Sequence, residues 1–143
     1  MRFMMLVKTT ENSGPPPKGL MDAIAELAEK SNQAGTMVIT GGLAPTAAST
    51  RVRLSQGKIT AIDGPFAETR EVVGGFAILE FNSKQEAVES AKQFMELHKI
   101  HWPGWQGETE IRQGAIWRAV RGELRQHPVG LVKGNQHRAM IAR

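Results

Sequence analysis

The sequence contains no cysteine among its 143 residues. This absence excludes disulfide bonds, thiolate metal sites and cysteine nucleophiles. No apolar run approaches the roughly 20 residues that a membrane-spanning helix needs. The basic and apolar stretch Met1–Lys8 is too short for the hydrophobic region of a signal peptide, and no small-residue cleavage site follows it. We therefore expect a cytoplasmic protein without a membrane partner.

Motifs for three kinds of chemistry are also missing. Gly41 and Gly42 are not followed by the lysine and hydroxyl pair of a phosphate-binding loop. No serine lies in the context of a nucleophile elbow. His98 and His101 have no third metal ligand that the sequence places beside them. The sequence accordingly predicts no metal site and indicates no cofactor.

Basic charge is concentrated at the C-terminal end of the chain. Residues 118–143 carry six basic side chains and one acidic one, a net charge of +5, whereas residues 1–117 carry 12 basic and 13 acidic side chains. The basic extension is either a solvated tail or a contact for nucleic acid or another acidic surface. We expect one domain over residues 1–117 and an irregular or weakly helical extension over 118–143.

Periodicity predicts an α+β chain of six strands and two helices. In order these are a strand over 3–8, a helix over 18–34, a strand over 36–40, a hairpin of 51–54 and 58–62, a strand over 72–81, a helix from 84 to about 99, and a strand over 109–113. Ser83 and Glu86 have the spacing of a capping box for the second helix. Gly74 and Gly75 indicate a bulge in the long strand.

The strands over 3–8 and 72–81 are apolar on both faces, and two helices cannot cover both sides of such a sheet. An uncovered apolar face of that size is an association surface. The sequence therefore predicts a two-fold homodimer in which the sheets of two subunits pack face to face.

The segment Asp63-Gly64-Pro65-Phe66-Ala67-Glu68-Thr69-Arg70-Glu71 resembles the signature of the DGPF group of the YCII-related family. Arg70 stands where that pattern commonly has lysine. Further similarities are Met1–Leu6, Gly42–Pro45 and Phe94–His98. The resemblance covers about residues 1–116. It implies a ferredoxin-like unit, an antiparallel sheet with two helices on one face, that forms a dimeric α+β barrel.

The resemblance implies little about chemistry. Related proteins have a proposed histidine–aspartate pair whose histidine lies in the first helix, but the helix predicted over 18–34 contains no histidine. That role is therefore not transferred. Members of the group are linked to extracytoplasmic-function sigma factors, which implies a transcription-related protein partner.

Asp63 and His98 are the candidate catalytic residues. Asp63 is either a general base or a turn residue whose carboxylate accepts backbone N–H groups. His98 is either a proton-exchanging imidazole on the inner edge of the second helix or a residue that caps the end of that helix.

A second set of residues is predicted to bind a ligand at the barrel mouth. Each also has a structural interpretation, such as packing for the aromatic residues or solvated ion pairs for the charged ones. The set comprises Lys8, Phe66, Glu68, Arg70, His101 and Trp102.

Two functions remain open from the sequence. One is a small-molecule enzyme with acid–base chemistry at Asp63 and His98. The other is a ligand-sensing or regulatory module without turnover. Whether the protein is an enzyme stays undecided at this point, because a fold does not imply a function.

Overall fold

The computed structural model describes residues 1–66 and 70–115. The elements in chain order are β1 (Arg2–Thr9), α1 (Lys18–Gln33), β2 (Met37–Gly42), β3 (Thr50–Ser55), β4 (Lys58–Asp63), β5 (Val72–Glu80), α2 (Lys84–His101) and β6 (Glu108–Gln113). The predicted extension over 118–143 lies outside the described residues. No helix in the described part of the chain is long and apolar enough to span a membrane.

Four strands form one antiparallel sheet in the order β2-β5-β1-β6. The strands β3 and β4 pair only with each other, as a separate two-stranded hairpin inserted between β2 and β5. Without this hairpin the order is strand, helix, strand, strand, helix, strand, with β1 and β5 in the centre of the sheet. The predicted α+β, ferredoxin-like architecture is confirmed.

The core lies on the side of the sheet that the helices cover. Phe3 and Leu79 are neighbours across β1 and β5, and both are buried against Ala87 and Ala91 of α2. Because successive side chains of a strand point to opposite faces, the residues between these core positions lie on the other side.

That other side, which we call the open face, has an apolar centre. Its pairs are Met4 with Ile78 and Leu6 with Phe76 across β1 and β5. Ile39 of β2 lies opposite Ile78 and is 43% exposed. Both sides of the central strands are thus apolar, as the sequence predicts.

Local signals in the sequence account for the ends of the elements. Ser83 Oγ accepts a hydrogen bond from the Glu86 N–H at 3.2 Å, so the predicted cap of α2 is confirmed. Gly35 follows α1 with a φ of 72° and closes the helix as expected. The sequence places the end of α2 near residue 99, but the helix reaches His101, where the Trp102 N–H still bonds the His98 carbonyl.

The irregularity predicted at Gly74 and Gly75 is also present. Val7 pairs with Gly75 and Lys8 with Val73, so Gly74 is an extra residue in β5. The bulge lies at the end of the sheet where the loops that carry the candidate site converge.

Candidate functional site

The loop that carries the family resemblance, residues 63–71, is called the signature loop below. It is bonded at Gly64 to the turn between β2 and β3. The Gly64 N–H donates to the Ser49 carbonyl at 2.8 Å, and a Cβ added at Gly64 would overlap the Thr46 carbonyl oxygen. Only glycine allows this close approach of two backbones. Glu68 lies outside the described residues, so its predicted role stays a prediction.

Thr46 connects this loop to the segment that follows β1. Its N–H and its hydroxyl both donate to the Glu11 carboxylate, at 2.5 and 2.6 Å, and its hydroxyl oxygen accepts the Phe66 N–H at 3.4 Å. The two hydrogen bonds that Thr46 donates stabilise the charged Glu11 carboxylate and lower the pKa of Glu11. Three segments distant in the sequence therefore meet at one threonine.

Phe66 is 7% exposed and anchors the loop, while its predicted role in ligand binding stays a prediction. The Arg51 guanidinium lies over the Phe66 ring, with its central carbon 3.7 Å from the ring centroid. A cation over an aromatic face is attracted by the quadrupole of the ring. The start of β3 is thus held against the anchored loop.

A cleft of about 410 Å³ opens beside this contact. Its apolar walls are Leu43, Ala44, Phe66, Val72 and Val73, and its polar groups are Thr46, Ser49, Arg51 and Glu71. A volume of this size and a mainly apolar lining with a few convergent polar groups are typical of small-ligand sites. A second groove of about 530 Å³ lies between α2 and β6.

Lys8 stands at the same end of the sheet among three carboxylates. Its Nζ lies 2.5 Å from Glu110, 3.1 Å from Glu108 and 4.0 Å from Glu71, which also lines the cleft. The hydrogen bonds to Glu110 and Glu108 raise the pKa of Lys8 above its ordinary value. The ammonium group is therefore held charged, and the cluster as a whole is negative. The role of Lys8 in holding an anionic ligand stays a prediction, and these carboxylates would compete with such a ligand.

The Lys8 contacts predict how stability responds to acid. The hydrogen bond from Lys8 lowers the pKa of Glu110 below its ordinary 4.5, so the folded state binds this proton less readily than the unfolded state. That contribution is complete above pH 4.5 and is lost as the pH falls through the lowered pKa. We expect Glu110→Gln to lose less stability than the unchanged protein between pH 7 and pH 3 in urea unfolding.

The control is Glu96→Gln, because Glu96 is half exposed and pairs with Lys99 on the surface of α2 at 3.6 Å. It should follow the unchanged protein at both pH values. An equal acid loss in all three proteins would contradict the assignment to Glu110.

His98 is 6% exposed and lies between the rings of Phe94 and Trp105, whose centroids are 4.6 and 4.5 Å away. Its Nδ1 is 3.0 Å from the Phe94 carbonyl oxygen. A carbonyl oxygen only accepts hydrogen bonds, so Nδ1 carries the proton and Nε2 bears the lone pair in the neutral ring. Burial disfavours the charged imidazolium and lowers the pKa of His98.

We expect a titration midpoint below 6.5 for His98, because burial disfavours the imidazolium more than the bond to the Phe94 carbonyl favours it. We also expect a protonated Nδ1 at neutral pH, because that carbonyl accepts a hydrogen bond from it. Long-range ¹H–¹⁵N correlation spectra across a pH series measure both properties, and His98→Gln assigns the signal. A midpoint at or above 6.5, or a protonated Nε2, would contradict this arrangement.

The structure does not bring the two candidate catalytic residues into a hydrogen bond within the described part of the chain. The exposed Asp63 carboxylate accepts from the Thr50 hydroxyl at 2.6 Å, across the base of the hairpin. His98 uses its Nδ1 on the backbone of its own helix. Each side chain has a local structural partner, and the acid–base pair stays a prediction.

The remaining predicted ligand-binding residues are spread over the surface. Trp102 stacks on Trp105 at a centroid distance of 5.9 Å, and the Trp105 ring also lies against His98 of α2. His101 is exposed, and its Nδ1 lies near Gly19 of α1. Arg70 is exposed in the signature loop. Among residues 1–66 and 70–115, no hydrogen bond, ion pair or ring contact joins the side chains of Arg70, His101 and Trp102 to one another. In the same ranges, no three histidine, aspartate or glutamate side chains form a group that could hold a metal ion.

Of the nine residues that line the cleft, only Phe66 was among the predicted site residues; those missed from the sequence include Thr46 and Arg51, and Glu11, which bonds Thr46 beside the cleft, was missed as well. Glu11 and Thr46 are separated by 35 positions, and neither belongs to a recognisable motif. Arg51 belongs to the predicted hairpin strand over 51–54, and no motif distinguished its side chain. The turn signals around Gly64 were the single hint that a second segment had to lie close by.

Comparisons with known proteins fit this architecture. The model of the YCII-related domain matches residues 1–96, which include β1 to β5, the signature loop and most of α2. The chain is also 30% identical over 105 residues to an uncharacterized protein of Rhizobium meliloti (strain 1021), in an alignment that covers 73% of this chain and 79% of that protein. With two thirds of its length matched to the family model, the chain belongs to the YCII-related family.

Proposed function

We propose that the protein is a binding module of the DGPF group that takes up a compact small molecule in the cleft beside Phe66. The observation that carries this proposal is the cleft itself. It combines about 410 Å³ of space, an apolar wall and four polar side chains at the point where the signature loop, the β2–β3 turn and the start of β5 meet.

The lining selects the chemical class of the ligand. Val72, Val73 and Leu43 favour an apolar body, such as a ring or a short aliphatic chain. Thr46, Ser49 and Glu71 favour a hydrogen-bonding group at one end of that body. The ligand is therefore a small amphipathic metabolite.

Binding is favoured over acid–base catalysis by Asp63 and His98, because each of these residues is engaged in a local hydrogen bond. The transcription-related partner implied by the resemblance stays a prediction.

Benzoate, benzyl alcohol and benzylamine test the proposal, because they share one ring and differ in charge. We expect at least one of them to shift the methyl signals of Leu43, Val72 and Val73 saturably in ¹H–¹³C spectra. Ala44→Trp, which fills the cleft, should abolish the shifts. Ala47→Trp is the matched control, because Ala47 is exposed and is not part of the lining. Shifts confined to Val88 and Ile111 in the groove between α2 and β6, or no saturable shift, would refute the proposal.

We also propose that the protein is a homodimer whose two open faces pack together. The apolar pairs Met4–Ile78 and Leu6–Phe76 form the centre of that face. Ile39 lies beside these pairs and is 43% exposed. Dimerisation would therefore bury an apolar side chain at this position.

Ile39→Glu places a charge on the open face and is expected to weaken the dimer at least about tenfold, because a charge that an interface covers must be desolvated. Sedimentation equilibrium at several concentrations measures the dissociation constant. Met21→Glu is the control, since Met21 is 48% exposed on α1. A dimer that tolerates Ile39→Glu as well as Met21→Glu would argue against the open face.

A further inference from the structure

The groove between α2 and β6 has an apolar floor on the helix side of the sheet. Val88, Ala91 and Met95 are spaced at i, i+3 and i+7 and therefore share one face of α2. Ile111 faces them from β6, because it pairs with Met5, which is buried in the core on that side. Val88, Met95 and Ile111 are each half-buried, so the groove leaves apolar surface uncovered.

Ion pairs balance the charges along the α2 side of the groove. Lys92 pairs with Glu89 at 3.1 Å, and Lys99 pairs with Glu96 at 3.6 Å. Each pair is neutral as a whole, so this side carries no net charge. The groove is therefore suited to an occupant that it contacts through apolar side chains.

The chain itself leaves the sheet beside this groove. The strand β6 is an edge of the sheet. The Thr109 hydroxyl bonds Met95 Sδ at 3.2 Å, and further along β6 the side chain of Ile111 packs on the core cluster that contains Ala91. The chain then bends at Ala115, and residues 116–143 follow outside the described part of the chain. These residues therefore start at the end of the groove that lies nearest to the N-terminus of α2.

Distance decides which groove the next residues can reach. The two residues that follow Gly114 span at most about 7 Å. In the proposed dimer, the helix side of the partner subunit lies beyond both facing sheets, which alone are about 10 Å apart. The groove of the same subunit is therefore the one within reach of Ile116.

Residues 116–124 have the apolar spacing of a helix that would fit this groove. The apolar positions share one helical face, at intervals i, i+1, i+4 and i+8. They are Ile116, Trp117, Val120 and Leu124. These residues as a helix would extend about 14 Å, and the stretch of α2 from Val88 to Lys99 that lines the groove extends about 17 Å. An isolated helix this short is marginal in water, so it is stable only where its apolar face packs.

We propose that residues 116–124 fill the groove between α2 and β6 of their own subunit, with Val120 and Leu124 on its apolar floor. The inference goes beyond the proposed ligand binding, and it holds for a monomer as well as for the proposed dimer. The chain thereby closes this groove to a ligand and leaves the cleft beside Phe66 open.

Val120→Glu in the full chain tests the occupant, because a carboxylate is costly to bury in an apolar groove. We expect the methyl signals of Val88 and Ile111 to move in ¹H–¹³C spectra as the segment leaves the groove. Val129→Glu is the matched control, since it introduces the same charge beyond Pro128, and it should leave both signals unchanged. Signals of the core should stay in place in both variants, which shows that both fold. Identical spectra of the two variants at Val88 and Ile111 would overturn the proposal.

A nitroxide label tests which subunit provides the groove. The sequence contains no cysteine, so Arg121→Cys carries the label at a single position. We expect the label to broaden the Val88 and Ile111 methyl signals of the molecule that carries it, and reduction of the nitroxide to restore them. In a mixture of isotope-labelled protein without the nitroxide and unlabelled protein with it, we expect no broadening.

Two results of the label experiment refute the proposal. Broadening in the mixture would place the segment on a partner subunit. Absence of broadening in both samples would leave the groove to an occupant other than residues 116–124.

Discussion

Replacement of Phe3 by alanine is expected to lower the free energy of unfolding by about 3–5 kcal/mol, the range for a buried aromatic side chain in a packed core. Phe3 is 0% exposed and lies in the central strand β1. Its ring is 6.4 Å from that of Phe81, and it packs on Leu79, Ala87 and Ala91. A change of this size is a large part of the roughly 5–15 kcal/mol that stabilises a domain.

Urea unfolding followed by far-UV circular dichroism measures this loss. The protein concentration is kept fixed, because association of the subunits adds to the apparent stability. Phe3→Leu keeps most of the volume and should cost less than about 1.5 kcal/mol, so it reports on the site even if the alanine variant does not fold. Ile100→Ala on the surface of α2 should change stability by no more than about 0.5 kcal/mol. A loss at Phe3 as small as that at Ile100 would contradict the position of the core.

Replacement of Gly64 by alanine is the second large effect that we expect. The new methyl group would overlap the Thr46 carbonyl oxygen, which is backbone and cannot rotate away. The two segments must separate, and the Gly64 to Ser49 hydrogen bond is lost with them. Overpacking of this kind typically costs about 1–3 kcal/mol, and the lost hydrogen bond adds about 1 kcal/mol.

We expect Gly64→Ala to loosen the structure around Gly64 more than it loosens the rest of the domain. Hydrogen exchange of the Phe66 and Gly64 amides is expected to accelerate strongly in Gly64→Ala, whereas amides of β1 follow the overall stability. Gly42→Ala is the control, because a Cβ at Gly42 meets nothing within 4 Å. If both variants retain the exchange rates of the unchanged protein, the close approach of the two loops is wrong.

The local features of this fold follow from the sequence because neighbouring residues encode them. Ser83 and Glu86 are three positions apart, and their spacing alone predicted the start of α2. Gly74 predicted the bulge of β5, since glycine is tolerated where the ladder is interrupted. The apolar pattern on both faces of β1 required a covered sheet, and the helices cover one side of it as expected.

The candidate site depends on contacts between distant segments, which periodicity does not report. Lys8 was visible as a cation at the end of a strand, but Glu108 and Glu110 follow it by 100 positions or more and change its electrostatic environment. The hypothesis of acid–base chemistry at Asp63 and His98 requires the two side chains to converge. Thr50 and the Phe94 carbonyl compete for them locally, because a nearby partner requires less ordering of the chain.

The contacts of Thr46 and Ser49 with the loop at Gly64 and Phe66 also make the folding of the four-stranded sheet insensitive to the length of the hairpin. Gly64 and Phe66 are held to residues 46 and 49, so the two chain ends that enter and leave the hairpin are already joined at its base. Closing the loop between β2 and β5 therefore costs nearly the same free energy whether the hairpin is short or long. That cost grows only with the logarithm of the loop length. The turn at Gln56 and Gly57 thus becomes a point where additional residues can be carried without disturbing the core, and where relatives can differ in length while keeping one fold.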